Sequence, residues 1–143
     1  MRKTTICLLM VFCSMGIVLG QSQPQWKVVK TVVLKYQSTP IPPTTIFTAK
    51  TPGLYRLGAY MGGGGKGMGG GLWSLTLAWN DLHKVPANLG PQCSYNKSGC
   101  WGELSPVLFV PEPQVPVTYE VRCIQGTCSD FMYRIAITVE QLQ

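Results

Sequence analysis

The side chains that could perform catalysis are few and scattered. The chain of 143 residues has one histidine, His83, with Asp81 two positions before it, and no G-x-S-x-G segment to present a serine nucleophile. Glycoside hydrolysis requires a pair of carboxylates. Only six acidic residues exist, and several fall at outward-facing strand positions or in proline-rich segments. The sequence therefore predicts a protein that is not an enzyme and that needs no cofactor.

A glycine-rich segment is the next candidate for chemistry. Gly62 to Gly71 contains eight glycines around Lys66 and Met68. A phosphate-binding loop needs Lys followed by Ser or Thr, whereas Gly67 follows Lys66 here, and the segment leads into a strand pattern instead of a helix. We therefore expect no nucleotide site. The segment is predicted to be a flexible tip between two strands, or a loop that packs closely against a partner.

Residues 1–20 have the features of a secretory signal peptide. Arg2 and Lys3 precede an apolar stretch, Ile6 to Val18, which ends shortly before Gln21. Cleavage there would remove two of the charges that make up the net +6 and leave 21–143 as a single domain. We expect a secreted or extracellular protein, periplasmic or cell-surface if the host is bacterial. No membrane span is expected in the mature chain.

Four cysteines follow this leader: Cys93, Cys100, Cys123 and Cys128. An even number in a secreted chain predicts two disulfides, for which three connectivities are open. The short separations favour Cys93–Cys100 and Cys123–Cys128. Their spacing is not that of a zinc site, and His83 is the sole histidine, so we expect no metal.

Exposed aromatic residues offer a binding function. Trp101 and Tyr95 lie outside the predicted core faces, as does Tyr60. Packing of Trp101 over a disulfide loop is the ordinary expectation, and the alternative is an aromatic platform for sugar rings formed by Trp101 and Tyr95. Asn96 begins a glycosylation acceptor if the host is eukaryotic.

The positive charge does not indicate a nucleic-acid partner. Lys27, Lys30 and Lys35 form no dense patch with interleaved aromatics. We expect a solvated surface instead.

The elements that must position these residues are predicted to be strands. After the leader, no segment repeats apolar residues with a helical period, whereas several alternate with a period of two. About seven or eight short strands, separated by Gly and Pro, predict an all-β sandwich or barrel. A jelly-roll-type β-sandwich is favoured by the arrangement of the last two strands and by the resemblance given below. Residues 80–105 are predicted to be irregular. The predicted strands are Trp26 to Tyr36, Thr44 to Thr48, Leu54 to Met61, Trp73 to Trp79, Val107 to Val110, Val117 to Cys123 and Phe131 to Glu140.

The last two strands are not expected to pair in a simple hairpin. Placing Cys123 opposite Cys128 would set Val121 against Asp130 and Val117 against Arg134, which puts charges on the buried face. Either a bulge intervenes, or the strands belong to different sheets and the disulfide spans the corner between them.

The segment Phe47 to Tyr55 reads F-T-x-x-x-P-G-L-Y and resembles a motif of the complement-type globular head family, which belongs to the tumour necrosis factor-like jelly rolls. It is also similar to secreted bacterial and phage-fibre domains. The resemblance covers about nine residues and lacks the collagen-like stem. It implies a jelly roll and a homotrimer. The leading hypothesis from the sequence is accordingly a secreted, oligomeric interaction or structural head that acts through its loops on a protein or glycan partner. The alternative is a monomeric carbohydrate-binding module.

Overall fold

The computed structural model describes residues 23–64, 71–90, 92–94, 100–128 and 131–143. These residues form strands and connecting segments, with no helix among them. The strands are β1 (Trp26–Gln37), β2 (Ile41–Thr48), β3 (Tyr55–Gly64), β4 (Gly71–Asn80), β5 (Pro86–Leu89), β6 (Gln92–Ser94), β7 (Cys100–Phe109), β8 (Pro116–Gly126) and β9 (Met132–Leu142).

The strands form two antiparallel sheets. The first has the order β1-β9-β3-β7, and the second has the order β2-β8-β4-β5, with β6 also paired to β4. The strands β5 and β6 keep one register along β4, with Leu89 opposite Leu77 and Cys93 opposite Trp73, so they fill one strand position. The result is two four-stranded layers with the strand order of a jelly roll, which confirms the predicted fold.

The break between β5 and β6 has a local cause at Gly90. A Cβ atom built on this residue would overlap the backbone carbonyl of Leu75 in β4. Glycine therefore permits the chain to pass close to β4 at this point.

The core lies between the sheets and follows the predicted alternation. In β4 the residues Trp73, Leu75, Leu77 and Trp79 are buried, and the residues between them are half-buried on the outer face. The Trp73 indole N–H donates to the carbonyl of Phe131 at 3.0 Å, so its polar atom is satisfied inside the core. Burial of side chains of this size stabilises the fold by roughly 1.5–3 kcal/mol each. The predicted core faces of β3, β8 and β9 are buried in the same way.

The prediction of an irregular segment at 80–105 was wrong in part. Residues 86–89 and 92–94 pair with β4, and the predicted short strand Val107 to Val110 overlaps the end of the longer strand Cys100–Phe109, which stops one residue before Val110. Pairing with β3 fixes this edge strand even though, among its residues from Trp101 to Phe109, only Phe109 is buried. A pattern search that relies on alternating burial misses such a strand.

The Cys123–Cys128 disulfide is confirmed, with its Cα atoms 6.0 Å apart. Cys123 belongs to β8 in the second sheet, and β9 in the first sheet begins at Met132 just after the bridge. Of the two arrangements left open by the sequence, the strands therefore lie in different sheets, and the bridge closes the corner between them.

The first sheet has an end that contains Arg56, the Arg56 end, and an opposite end that contains Arg134, the Arg134 end. At the Arg56 end, the backbone N–H of Gln25 donates to the Gln143 carbonyl and the N–H of Gln143 donates to the Gln25 carbonyl, both at 2.9 Å. At the Arg134 end, β1 finishes, β9 begins, and Gly63 of β3 pairs with Tyr133. Within the described ranges, no helix is long and apolar enough to cross a membrane.

Candidate ligand-binding face

Trp101 stands on the outer face of the first sheet and is 73% exposed. It lies directly opposite Gly62 of β3, and Gly62 lies directly opposite Arg134 of β9 on its other side. Residues that pair directly across antiparallel strands point to the same face. Because Met61 points into the core, Gly62, Trp101 and Arg134 all belong to the outer face.

The Tyr60 side chain covers Gly62. A Cβ atom on Gly62 would overlap the Tyr60 hydroxyl and would lie 2.8 Å from the ring carbon Cζ. Only the absence of a side chain on Gly62 leaves room for the phenol this close to β3. Tyr60 thereby occupies the space between Trp101 and Arg134 instead of projecting away from the sheet.

Arg134 of β9 contacts the Tyr60 ring. Its Cζ atom lies 5.5 Å from the centroid of Tyr60, and its Nη2 donates to the Tyr60 hydroxyl at 3.1 Å. This combination of a cation–π contact and a hydrogen bond fixes the ring and the guanidinium together.

The edge strand β1 completes the arrangement. Its register shifts between Leu34 and Gln37, and Tyr36 adopts a positive φ of 55°. This bulge brings Lys35 and Tyr36 beside Arg134, where they line a cavity of about 180 Å³ together with Gly63 and Tyr133. We call the set across the four strands the outer row. Its members are Lys35, Tyr36, Arg134, Gly62, Tyr60 and Trp101.

The floor of the cavity is rigid. Tyr133 is 1% exposed, its ring packs on Trp73 at 4.7 Å between centroids, and its hydroxyl donates to the Thr39 carbonyl at 2.7 Å. Burial, followed by the charge of nearby Tyr119, raises the pKa of Tyr133 to about 12. This phenol therefore stays neutral in the folded protein across the physiological range.

A second arginine on the same face, Arg56, is paired with a carboxylate. Arg56 lies 4.7 Å from the centroid of the Trp26 ring, and it also forms an ion pair with Glu140 in which Nη2 donates to Oε1 at 2.9 Å. The hydrogen bond from Arg56 lowers the pKa of the Glu140 carboxyl. Arg122 of the second sheet is paired in a similar way with Glu120. Arg134 has no carboxylate of the described residues within ion-pair distance, unlike Arg56 and Arg122.

The residues considered for catalysis are not assembled into a nucleophilic site in the described part of the chain. One carboxylate oxygen of Asp81 accepts the backbone N–H groups of His83 and Val85, both at 2.9 Å, which makes it a turn-forming residue. No group of three or more potential metal ligands occurs among the described residues.

A groove between the sheets lies beside this turn. It has a volume of about 480 Å³, and its lining includes Trp79 and Phe109, whose rings are 4.9 Å apart. Leu54, Leu82 and Leu108 form much of the remainder, so the groove is mainly apolar.

Several predictions fall on residues about which the structure gives no side-chain information. Tyr95, Asn96 and residues 65–70 lie outside the described residues, as does the proposed leader. Cys93 and Cys100 are described only as parts of strands, so their pairing stays a prediction.

Sequence reasoning selected Trp101 but not Lys35 or Arg134 as site residues. Arg134 alternates with the core residues of β9, which marked it as outward-facing without marking it as functional. Lys35 and Arg134 are far apart in the chain, and pairing of β1 with β9 brings them together. The sequence contains no local signal for this proximity.

Comparison with known proteins gives distant likenesses only. No family model and no curated protein matches the chain. The chain is similar to a structure of infectious bursal disease virus Gx strain, with 10% identity, a TM-score of 0.45 and coverage of 83% of this chain and 33% of that one. It is also similar to the CBM22-1-GH10 modules of Clostridium thermocellum endo-1,4-beta-D-xylanase 10B, complexed with xylohexaose, with 7% identity, a TM-score of 0.35 and coverage of 83% and 24%. The chain thus spans about a third and a quarter of those two chains.

Proposed function

We propose that the protein is a secreted, non-enzymatic binding domain that holds a carbohydrate on the outer row. The observation that carries this proposal is that the exposed ring of Trp101 lies in one row with the ring of Tyr60, which covers Gly62. An exposed indole on a sheet face offers a large, rigid apolar surface with a polar edge, which suits a sugar ring. The disulfide is compatible with an oxidising, extracellular compartment.

The sheet supplies a suitable platform for an extended ligand. Neighbouring strands are about 4.8 Å apart, so the four strands of the row span about 14 Å. The strands that carry the outer row pack their opposite faces in the core, so the backbone beneath the row is held in place. A fixed platform lowers the ordering cost of binding.

The test is a glycan array with the oxidised protein secreted from the full chain, compared with Trp101→Ala and Trp26→Ala. The second variant removes an indole from the same sheet at the Arg56 end and serves as the matched control. We expect Trp101→Ala to lose the glycan signals of the wild type and Trp26→Ala to keep them. The proposal fails if no glycan is retained, or if Trp101→Ala binds as well as the wild type.

Self-association is a second candidate, and it corresponds to the homotrimer implied by the complement-head resemblance. It is supported by exposed apolar residues on the first sheet, where Val28, Val33 and Leu108 are each more than half exposed. These residues belong to the two edge strands of the sheet, β1 and β7. Exposed apolar residues are a common feature of interaction surfaces. Light scattering coupled to size-exclusion chromatography tests it, with Val33→Lys as the variant. A trimer that Val33→Lys dissociates supports this candidate, and a wild-type monomer excludes it.

A further inference from the structure

Two cationic residues border the cavity at the β1 edge of the outer row. Lys35 and Arg134 line it together with two tyrosines, its lining surface is mainly apolar, and none of the described residues that line it carries a carboxylate. A pair of cations beside one concave space attracts a negatively charged group. The volume of about 180 Å³ accommodates a carboxylate or a sulfate.

Arg134 retains hydrogen-bonding capacity for such a group. A guanidinium has five N–H donors, and the hydrogen bond to the Tyr60 hydroxyl occupies one nitrogen, Nη2. That bond also fixes the orientation of the guanidinium plane. A held guanidinium can donate two parallel hydrogen bonds to an oxyanion, and Lys35 adds a second positive charge.

The other described arginines do not share this lack of a carboxylate partner. Both Arg56 and Arg122 lie against carboxylates of the chain itself. Tyr133, the buried group in the cavity, uses its hydroxyl for Thr39 and therefore does not serve as an internal partner of Arg134. The cross-strand partner of Arg134 is Gly62, and no carboxylate of the described residues takes the role there that Glu140 has for Arg56.

We propose that the outer row binds an acidic carbohydrate. Its carboxylate or sulfate ester occupies the cavity between Lys35 and Arg134, and its sugar rings lie on Tyr60 and Trp101. This inference rests on the proposed carbohydrate-binding function and specifies the ligand class.

The experiment uses two polysaccharide pairs that differ only in charge. Dextran sulfate is compared with dextran, and polygalacturonate is compared with its methyl ester, so that the two pairs separate sulfate from carboxylate recognition. Binding to immobilised polymers is measured at about 0.15 M salt, where screening weakens attraction by distant charges. We expect at least one acidic polymer to bind and its uncharged counterpart to bind at least about tenfold more weakly.

Single variants locate the effect. Arg134→Gln and Lys35→Gln should each weaken acidic-polymer binding by roughly five- to tenfold. Arg134→Lys should restore part of it, since it keeps the charge and loses the fork of donors. Lys27→Gln is the matched control, because it removes the same charge from β1 at the opposite end of that strand. The melting temperature of each variant shows whether it is folded.

The outcomes separate this inference from the proposed function. Equal binding of charged and uncharged polymers, no binding of either acidic polymer, or an equal loss with Lys27→Gln overturns the inference. If Trp101→Ala abolishes binding while Arg134→Gln does not, the carbohydrate function stands and the anion site fails. If Arg134→Gln weakens binding while Trp101→Ala leaves it unchanged, the anion site stands and the proposed sugar platform fails.

Discussion

The two ends of the first sheet carry the same pair of groups in different electrostatic settings. At one end Arg56 lies over Trp26, and at the other Arg134 lies over Tyr60. Glu140 accepts hydrogen bonds from Arg56, whereas no carboxylate of the described residues is within ion-pair distance of Arg134. An arginine that is paired with a carboxylate of the chain, here called closed, contributes to the structure of the sheet. An arginine without such a partner, here called open, is available to a ligand.

This contrast shows that an arginine over an aromatic ring does not by itself indicate a binding site. The cation–π contact is present at both ends, so the counter-ion distinguishes them. The neighbouring residues agree with this distinction, because Lys35 adds a second cation beside Arg134.

The largest expected effect comes from closing the open arginine. Met132 is exposed and precedes Arg134 by two residues on β9, the same spacing at which Glu120 pairs with Arg122 on β8. Met132→Glu should therefore pair with Arg134 and repel an acidic polymer, with a loss of about a hundredfold in affinity. Immobilised dextran sulfate and polygalacturonate provide the measurement.

Ile124→Glu is the control for this variant, since it adds the same charge at an exposed position of the second sheet. An equal loss in both variants would mean that net charge alone governs binding. Retained binding by Met132→Glu would contradict the assignment of Arg134.

The next largest effect concerns the disulfide at the Arg134 end. Replacing Cys123 and Cys128 together by Ser removes a short loop constraint and should lower the free energy of unfolding by about 2 kcal/mol. Urea denaturation measures the loss. Hydrogen exchange should show reduced protection at Tyr133 and Arg134 and little change near Arg56, because the bridge lies just before β9. Uniform loss of protection would argue that the two ends are not independent.

The buried tyrosines distinguish the ends at high pH. Burial raises the pKa of Tyr55 near the Arg56 end, and it raises the pKa of Tyr133 to about 12 at the Arg134 end. Since the folded-state pKa exceeds the unfolded value of about 10, this contribution to stability is complete below pH 10 and is lost as the pH rises toward 12. The slope for Tyr133 approaches about 1.4 kcal/mol per pH unit.

Tyr133→Phe should therefore flatten the fall in stability above pH 10 more than Tyr55→Phe does. Urea unfolding at a series of pH values gives the comparison. A steeper profile after Tyr133→Phe would contradict the assigned direction.

A smaller effect is expected from the glycine beneath Tyr60. Gly62→Ala should displace the phenol from Arg134 and weaken ligand binding about three- to fivefold, the size of one exposed cation–π contact. Gly58→Ala is the matched control on the same strand, where an added Cβ atom would meet only Pro106 Cγ at 3.7 Å, an ordinary contact. If the two alanine variants bind alike, the position of the phenol is unimportant.

The smallest effect is expected from opening the closed arginine. Glu140→Gln removes the counter-ion of Arg56, but Lys27, the lysine of β1 at that end, pairs with Gln141 and therefore lies on the opposite face from Arg56 and Glu140. We expect at most a slight gain in retention on acidic polymers. A gain that equals the contribution of Arg134 would show that one unpaired arginine is sufficient for binding.

The sequence predicted the fold where burial alternates strictly, as along β4 and β9, because each step of the chain exchanges the core for the outer face. It failed at β5, β6 and the first half of β7. These are short or edge segments, and Gly90 separates β5 from β6.

The site was predictable only in part, for a related reason. Trp101 could be recognised as an aromatic residue without a place in the core. Its neighbours in the outer row depend on strand register, and the cavity depends on the β1 bulge at Tyr36. Pairing between segments that are distant in the sequence determines the register and the bulge. This pairing cannot be read from the residue types alone.

The backbone pairing of Gln25 with Gln143 has a practical consequence. Gln143 follows β9, whose residues from Arg134 to Leu142 span roughly 27 Å as an extended strand. An affinity tag attached after Gln143 would therefore anchor the protein to a sensor surface at the end remote from Arg134. Every molecule captured in this way should present the outer row toward the solution, which makes surface-based binding assays with large polymers feasible.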